Sequence, residues 1–355
     1  MPRRTVYNEV MDVLERRIES GEYMLKDLPG ERRLAEEVGV SYMTARKAVQ
    51  KLIEKKVLTR GPSGALEVHP SQQASSSGLS VAMLTPAYPS PVFARFRLAL
   101  SRAAEMHGAQ FRPVEYLHWD DSVVRQALDG ADGLVIVPST EDIPERVTEA
   151  FRSASSKVVF FDADMTAHGL PSMGLFASSH ILSVFDHLWK LGHRRIDCLN
   201  TQGHNDEIER RISLWQTWLE RKGGDGRLYD NPAAPYEDPL PRAHLSMHDV
   251  LKKHDHALSA IVCTTQPAAL GAVRACYEAG VSVGEQISIC TMNNEPTGRY
   301  YCPSLTGLEM PDLEPMLEQV FEWFESPQRE WPGPLLLEPE EARLFRGEST
   351  GAGKG

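Results

Sequence analysis

Cysteine is scarce in this 355-residue chain: Cys198, Cys263, Cys276, Cys290 and Cys302 are the whole set, none of them in a CxxC or Cys/His spacing. That pattern argues against a zinc site. Cys198, Cys263 and Cys290 sit inside apolar runs, where a thiol packs as a small buried hydrophobe. Long apolar stretches are missing too. No run of about 18 apolar residues occurs, and the opening MPRRTVYNEVMDVLERR lacks the apolar centre of a signal peptide. A cytoplasmic protein that does not span a membrane is expected. The chain has no glycine-rich phosphate loop, no GxSxG and no HExxH, so neither an enzyme nor a bound cofactor is expected. A positive excess is also lacking: the formal charge of −11 argues against a whole-chain nucleic-acid binder. What remains is an ordinary globular composition, 41% apolar and 25% charged, at a length suited to two or three domains.

The charge is unevenly spread. Residues 1–70 hold 13 Lys/Arg against 11 Asp/Glu, and residues 29–60 hold 8 against 4, so a basic head precedes an acidic body. Such a head can dock one face on phosphates while the body keeps non-specific DNA affinity modest.

The head has helical periodicity. Val6, Val10, Val13, Leu14 and Ile18 mark a first amphipathic helix, ended by Gly21. A second starts near Pro29–Glu31, stacks Leu34, Ala35 and Val38, and stops at Gly39. Ser41 caps a third, whose apolar stripe is Ala45, Ala48, Val49, Leu52 and Ile53. Residues 57–60 and 65–68 flank GPSG at 61–64 and read as a β-hairpin wing. Helix, turn, helix and wing in this order form a winged helix-turn-helix, a device for placing one helix in the DNA major groove. The start of the third helix offers Ser41, Tyr42, Thr44, Arg46 and Lys47 to bases or flanking phosphates, and an arginine there can pair bidentately with guanine. Arg32, Arg60, Ser63 and Gly64 are placed for the backbone or minor groove.

LPGERRLAEEVGVSYMTARKAVQKLIEKKVLTR closely resembles the GntR-type winged helix over residues 5–69. The resemblance gives Arg32 the role of the family's LPxER arginine, Ser41 and Thr44 its hydroxyl positions, and Arg46 its recognition-helix arginine. Tyr42 departs from the pattern, standing where the family usually has a basic residue.

HPSQQASSSG (69–78) is poor in apolar residues and rich in Ser and Gln, so residues 70–78 read as a flexible linker between domain 1–69 and domain 79–346, with 347–355 as a flexible tail. In the body, apolar runs at 79–84, 133–138, 158–162, 196–200, 260–265 and 287–292 alternate with amphipathic segments such as 92–107, 176–191, 206–222 and 267–279. This alternation predicts an α/β fold with parallel sheets in two lobes. Ligands in such sheets bind beyond the carboxyl ends of the strands, which nominates Thr85, Tyr88, Ser139, Asp164, Thr201, Thr265 and Asn293. His244, His248, His254 and His256 fall in a polar helical stretch without further ligands at metal-binding spacing, and Trp215 and Trp218 read as helix-packing aromatics.

The body resembles the LacI-type sensor over residues 79–346, through HLWKLGHRRIDCLN (187–200), SAIVCTTQPAALGAVRACYEAGVSVGEQISICTMNN (259–294) and CPSLTGLEMP (302–311). The resemblance implies a bilobed periplasmic-binding-protein-like fold. Its first lobe would take 79–190 plus a helix near 312–328, and its second 193–308 plus the C-terminal strand. Pocket positions of sugar-sensing relatives correspond to Asn293, Thr265 with Gln266, Arg211 and Ser179; only Arg211 keeps its type, and Leu214 replaces a small residue. Neutral groups hold sugar hydroxyls less strongly than carboxylates do. The expectations are therefore a sugar or sugar derivative, a ligand with an acidic or bulky group paired to Arg211, or a pocket that has lost its ligand. Joined together, the two resemblances imply an arabinose-repressor-like architecture. That architecture implies a homodimeric regulator, a repressor of carbohydrate-related genes, that binds operator DNA and a small effector between the lobes. The alternative is a constitutive or protein-partnered DNA-binding regulator with a vestigial pocket.

Overall fold

A computed structural model describes residues 28–61, 64–68, 78–87, 90–234, 237–253 and 258–353, with Tyr7, Val10, Met11, Leu14 and Glu15. Ser63, Tyr88, His254, His256 and all of the expected linker but Gly78 lie outside the described residues.

In the head, Val10 and Leu14 are helical and buried as the first stripe requires. Helix α1 (Glu31–Val38) ends at Gly39, whose φ of 69° is the left-handed stop that glycine adopts without a Cβ penalty. Helix α2 (Tyr42–Glu54) starts at Ser41, whose side chain accepts a hydrogen bond from the Thr44 amide at 3.2 Å. Strands β1 (Leu58–Arg60) and β2 (Leu66–Val68) pair antiparallel as the wing, Leu58 opposite Val68 and Arg60 opposite Leu66. One core of Val10, Leu14, Leu34, Ala48, Val49, Leu52, Leu58 and Leu66 joins these elements. Its helices bury one stripe and leave the polar face outside.

The chain forms two compact units, one of residues 1–137, 143–159 and 317–333, the other of 138–142, 160–316 and 334–355. Among the described residues there are two six-stranded sheets, and both have the parallel pairing expected of an α/β body. The first has the order β13-β7-β6-β5-β3-β4, built from β3 (Ser80–Pro86), β4 (Gln110–Tyr116), β5 (Gly133–Ile136), β6 (Lys157–Phe161), β7 (Ser172–Met173) and β13 (Leu336–Leu337). The second has the order β14-β12-β11-β10-β8-β9, from β8 (Asp197–Asn200), β9 (Leu228–Asp230), β10 (Ala260–Cys263), β11 (Ser288–Asn294), β12 (Thr306–Glu309) and β14 (Leu344–Phe345). Only β14 runs antiparallel to its neighbour in that second sheet.

The connecting helices are α3 (Pro91–Met106), α4 (Ser122–Gly130), α5 (Glu145–Ser153), α6 (Ser178–Lys190), α7 (Asp206–Lys222), α8 (Pro239–Lys253), α9 (Gln266–Glu278) and α10 (Glu314–Glu325). Strand β4 was not evident in the sequence because Pro113 interrupts it. Pro113 pairs with Met83 at the edge of the sheet, where a missing N–H is tolerated.

Two boundaries differ from the sequence reading. Residues 160–190, assigned by resemblance to the first lobe, are divided: β7 and the end of β6 lie in the first sheet, whereas α6 packs within the second unit. There α6 packs on α7, with the Phe185 and Trp218 rings 5.6 Å apart and Trp218 Nε1 donating to Asp186 Oδ1 at 3.1 Å. The tail expected to be flexible is instead fixed over residues 347–353. Ile289 N donates to Ser349 O at 2.8 Å, Thr306 N to Ser349 Oγ at 2.9 Å, and Gly353 N to Leu191 O at 2.7 Å. His193 Nε2 lies 3.1 Å from Gly351 O. Small residues suggested disorder, but here they permit close approach: a Cβ on Gly351 would lie 1.9 Å from Gly284 O.

Candidate functional site

The outward face of α2 carries the first site. Ser41, Tyr42, Arg46 and Lys47 are exposed, Thr44 is half-buried, and Ser41 Oγ and Thr44 Oγ1 lie 2.8 Å apart. Ala45, Ala48, Val49 and Leu52 anchor the opposite face in the core, which fixes the direction of this polar stripe.

Glu31, at the start of α1, gathers two neighbours. Tyr42 Oη donates to its Oε2 at 3.2 Å, and Arg60 Nη2 reaches its Oε1 at 2.5 Å. Arg60 Nη1 also donates to Gly64 O at 3.2 Å, so one arginine links the wing to the first turn of α1. Lys47 Nζ stands 4.5 Å from the centre of the Tyr7 ring. Arg32 and Arg46 are exposed and have no ion-pair or hydrogen-bond partner among the described residues. An unpaired guanidinium on a helix face is suited to a bidentate base or phosphate contact.

The second site lies on the second unit and centres on Arg211. This side chain is buried on α7, with Nε on Glu207 Oε1 at 2.7 Å and Nη1 donating to Thr264 O at 2.8 Å. The other Glu207 oxygen takes Arg210 Nε at 2.7 Å, while Arg210 Nη1 and Nη2 donate to Ser178 Oγ and Phe176 O at 3.2 and 2.8 Å. Burial pushes the Glu207 carboxyl up, but Arg211 and Arg210 more than offset this and hold it below the usual carboxylate range.

Asp162, which follows β6, stands within electrostatic reach of this pair. Burial pushes its carboxyl up to about 7, against the pull of Arg211 and Arg210 and aided by Glu207. Burial likewise raises Glu338, whose charge neighbours include Arg210, His180 and Asp164.

The expected ligand residues divide accordingly. Thr265 follows the Thr264 carbonyl that holds Arg211; it is buried, and its Oγ1 has no hydrogen-bond partner among the described residues. Asn293 Oδ1 accepts from Gln266 N at 3.0 Å and so caps α9. Arg211, Thr265 and Asn293 are thus brought together. Asp164 is exposed and caps the short 166–168 turn through Thr166 N at 3.0 Å. Ser139 is buried and accepts from Glu141 N at 3.2 Å, and Ser179 is exposed in the first turn of α6.

The sequence reading missed Asp162, Glu207, Arg210 and Glu338. Glu207 could have been found, since it lies three and four residues before the two arginines. A cavity of about 820 Å³ in the first unit, between α4 and α5 and bordered by Trp119, Arg125 and Arg146, contains none of the expected ligand residues. His244 pairs with Glu278 at 2.6 Å, and no metal-holding group of three His, Cys, Asp or Glu occurs among the described residues. Among those residues no helix is long and apolar enough to cross a membrane.

A model described as bacterial regulatory proteins, gntR family, matches residues 6–68, and a periplasmic binding protein-like domain matches residues 185–320. Similar solved structures include a lac repressor dimer bound to operator and the anti-inducer ONPF, with TM-score 0.65 and 20% identity over 80% of this chain and 98% of that one. A LacI family transcriptional regulator from Enterococcus faecium with bound ribose gives TM-score 0.63 and 17% identity over 78% and 100%. The transcription regulator GntR from Chromobacterium violaceum gives 0.60 and 19% over 76% and 99%. Sequence comparison with curated proteins finds no match. The chain therefore combines a gntR-family N-terminal domain with a periplasmic-binding-protein-like domain.

Proposed function

We propose that this chain is a DNA-binding transcriptional regulator whose body senses a small molecule and whose winged head reads an operator. The observation that carries the reading is the exposed α2 face, with Arg46 unpaired among the described residues, in a chain that also holds a sensor-type body. Arg46 reads a base, Ser41, Tyr42, Thr44 and Lys47 contact bases or flanking phosphates, and Arg32, Arg60, Ser63 and Gly64 hold the backbone or minor groove.

The regulator is a repressor of carbohydrate-related genes, acts in the cytoplasm, and binds its effector at the cluster around Arg211. A similar fold with bound ribose and another bound to operator with an anti-inducer support this assignment. Tyr88, Ser139, Asp164, Ser179, Thr265 and Asn293 stay candidates for the same site. The DNA affinity can change by no more than the effector's differential affinity for the two conformations.

The regulator works as a homodimer on a pseudo-palindromic site. In the second unit Leu245 on α8 and Tyr277 on α9 are 64% and 74% exposed, surface that a second copy would cover.

A thermal-shift screen of sugars and sugar derivatives, repeated as an operator-affinity measurement, tests the sensor role. A compound that stabilises the protein and alters DNA affinity is expected. If none does, the sensor role falls and a constitutive regulator with a vestigial pocket takes its place. That second reading is favoured by one observation, the pairing of Arg211 within its own chain.

A further inference from the structure

We infer that the first turn of α2 reads the C5-methyl group of a thymine, through the Tyr42 ring and the Met43 side chain, within about two base pairs of the base contacted by Arg46. The inference rests on the DNA-reading function above and names one feature of the sequence that the head selects.

Tyr42 stands where GntR-type heads usually carry a basic residue, a donor to guanine or phosphate. Its hydroxyl does not replace that donor. Tyr42 Oη donates its proton to Glu31 Oε2 at 3.2 Å, and a hydrogen bond to a carboxylate is of the stronger, charge-assisted kind. The other Glu31 oxygen takes Arg60 Nη2 at 2.5 Å, and Arg60 Nη1 donates to Gly64 O at 3.2 Å. With 14% of its side chain exposed, Glu31 is shielded from water as well as held by the wing, so the anchor of Tyr42 is itself fixed.

The neighbouring hydroxyls are largely committed too. Ser41 Oγ accepts from the Thr44 amide at 3.2 Å and lies 2.8 Å from Thr44 Oγ1. Of the three hydroxyl protons on Ser41, Tyr42 and Thr44, two are therefore spent within the head, and one is left for a phosphate oxygen.

What this turn offers outward is mainly apolar. Tyr42 is 38% and Met43 67% exposed, adjacent large side chains at the start of a helix whose opposite face is packed in the core. Thymine is the one base that presents a methyl group in the major groove, where apolar side chains recognise it. The surroundings fix the kind of partner: Arg32, Arg46 and Lys47 are all exposed on the same two helices, which suits a groove walled by phosphates and not an apolar protein surface. Tyr42 and Arg46, at i and i+4, share a helix face. Four residues advance about 6 Å along a helix. That is less than two base-pair steps of about 3.4 Å.

Fluorescence anisotropy with the full chain tests this on a duplex carrying its selected sequence, each thymine in turn being replaced by deoxyuridine. The replacement removes the methyl group and keeps every hydrogen-bonding edge. At one thymine, within about two base pairs of the position where Arg46→Ala loses its preference, binding is expected to weaken roughly fourfold, the value of one buried methyl group. Tyr42→Phe should keep that thymine-to-uracil ratio, because the hydroxyl is turned to Glu31. Tyr42→Ala combined with Met43→Ala should bring the ratio to about one, with thermal melting to check the fold. The comparison on the unaltered chain needs no substitution.

A ratio of about one at every thymine overturns the methyl reading and leaves sequence-specific binding standing. A ratio that survives in the doubly substituted chain overturns it as well. If selection recovers no sequence at all, DNA reading itself fails and the methyl reading falls with it.

Discussion

Arg46 and Arg211 are the same side chain in opposite circumstances. Arg46 stands exposed on α2 with no partner among the described residues, on a helix whose other face is locked into the head's core. Arg211 is buried on α7, with one nitrogen on Glu207 and another on the Thr264 carbonyl. The first is a charge that the described residues leave unmatched. The second is spent inside the chain, tying Glu207 to the Thr264 carbonyl. An arginine alone therefore does not announce an anionic ligand; its partners decide.

The largest expected effect comes from the buried member. Arg211→Ala would strand Glu207 with one arginine and leave the Thr264 carbonyl without its donor, costing roughly 3 kcal/mol. For a chain of 355 residues that lowers the melting temperature by about 4 °C in a thermal melt. An unchanged melting temperature would make Arg211 a ligand group and nothing more. Arg46→Ala should do the reverse, changing stability by less than about 0.5 kcal/mol. In a fluorescence-anisotropy titration it should weaken specific DNA binding by roughly 5- to 100-fold, the value of one bidentate base contact. Equal affinity for the variant would remove Arg46 from base reading.

Two smaller effects sharpen the contrast through pH, with opposite signs. The Asp162 carboxyl is raised by burial to about 7, above its ordinary 3.8, so its contribution to stability is complete below that ordinary value and is lost as pH rises through about 7. Denaturant unfolding at pH 5 and pH 8 should show Asp162→Asn gaining on the parent at the higher pH. Equal differences at the two values would place the carboxyl in solvent.

His193 behaves the other way. Burial lowers it below 6.5, against a smaller upward pull from the Gly351 carbonyl. Its contribution is present above 6.5 and is lost as pH falls through the depressed value. Hydrogen exchange should therefore show residues 347–353 loosening on acidification, and His193→Gln should blunt that response.

The head was legible because its signals are local. Gly39, the Ser41 cap and the stripe Ala45, Ala48, Val49 and Leu52 specify helix ends and faces within one short segment, and each was found where the pattern placed it. In the body, runs such as 196–200 and 260–265 marked strands of the central sheet, but Pro113 concealed an edge strand.

The cluster was legible only in part. Arg211, Thr265 and Asp164 follow from the resemblance and from the strand ends, whereas Asp162, two residues before Asp164, takes a left-handed turn within electrostatic reach of the arginines that no strand-end rule marks. Glu338 joins from a segment far along the chain, and no periodicity could place it there. The tail misled because Gly, Ser and Thr permit close backbone packing as readily as disorder.

The central claim is that residues on the α2 face read DNA sequence for a chain that otherwise repels it. Selection of fragments from random DNA by the full-length protein, repeated with Arg46→Ala, tests it most directly. The account predicts that the parent chain enriches an inverted-repeat sequence and that the variant loses it. Recovery of no common sequence by the parent, or of the same sequence equally by both, would contradict it.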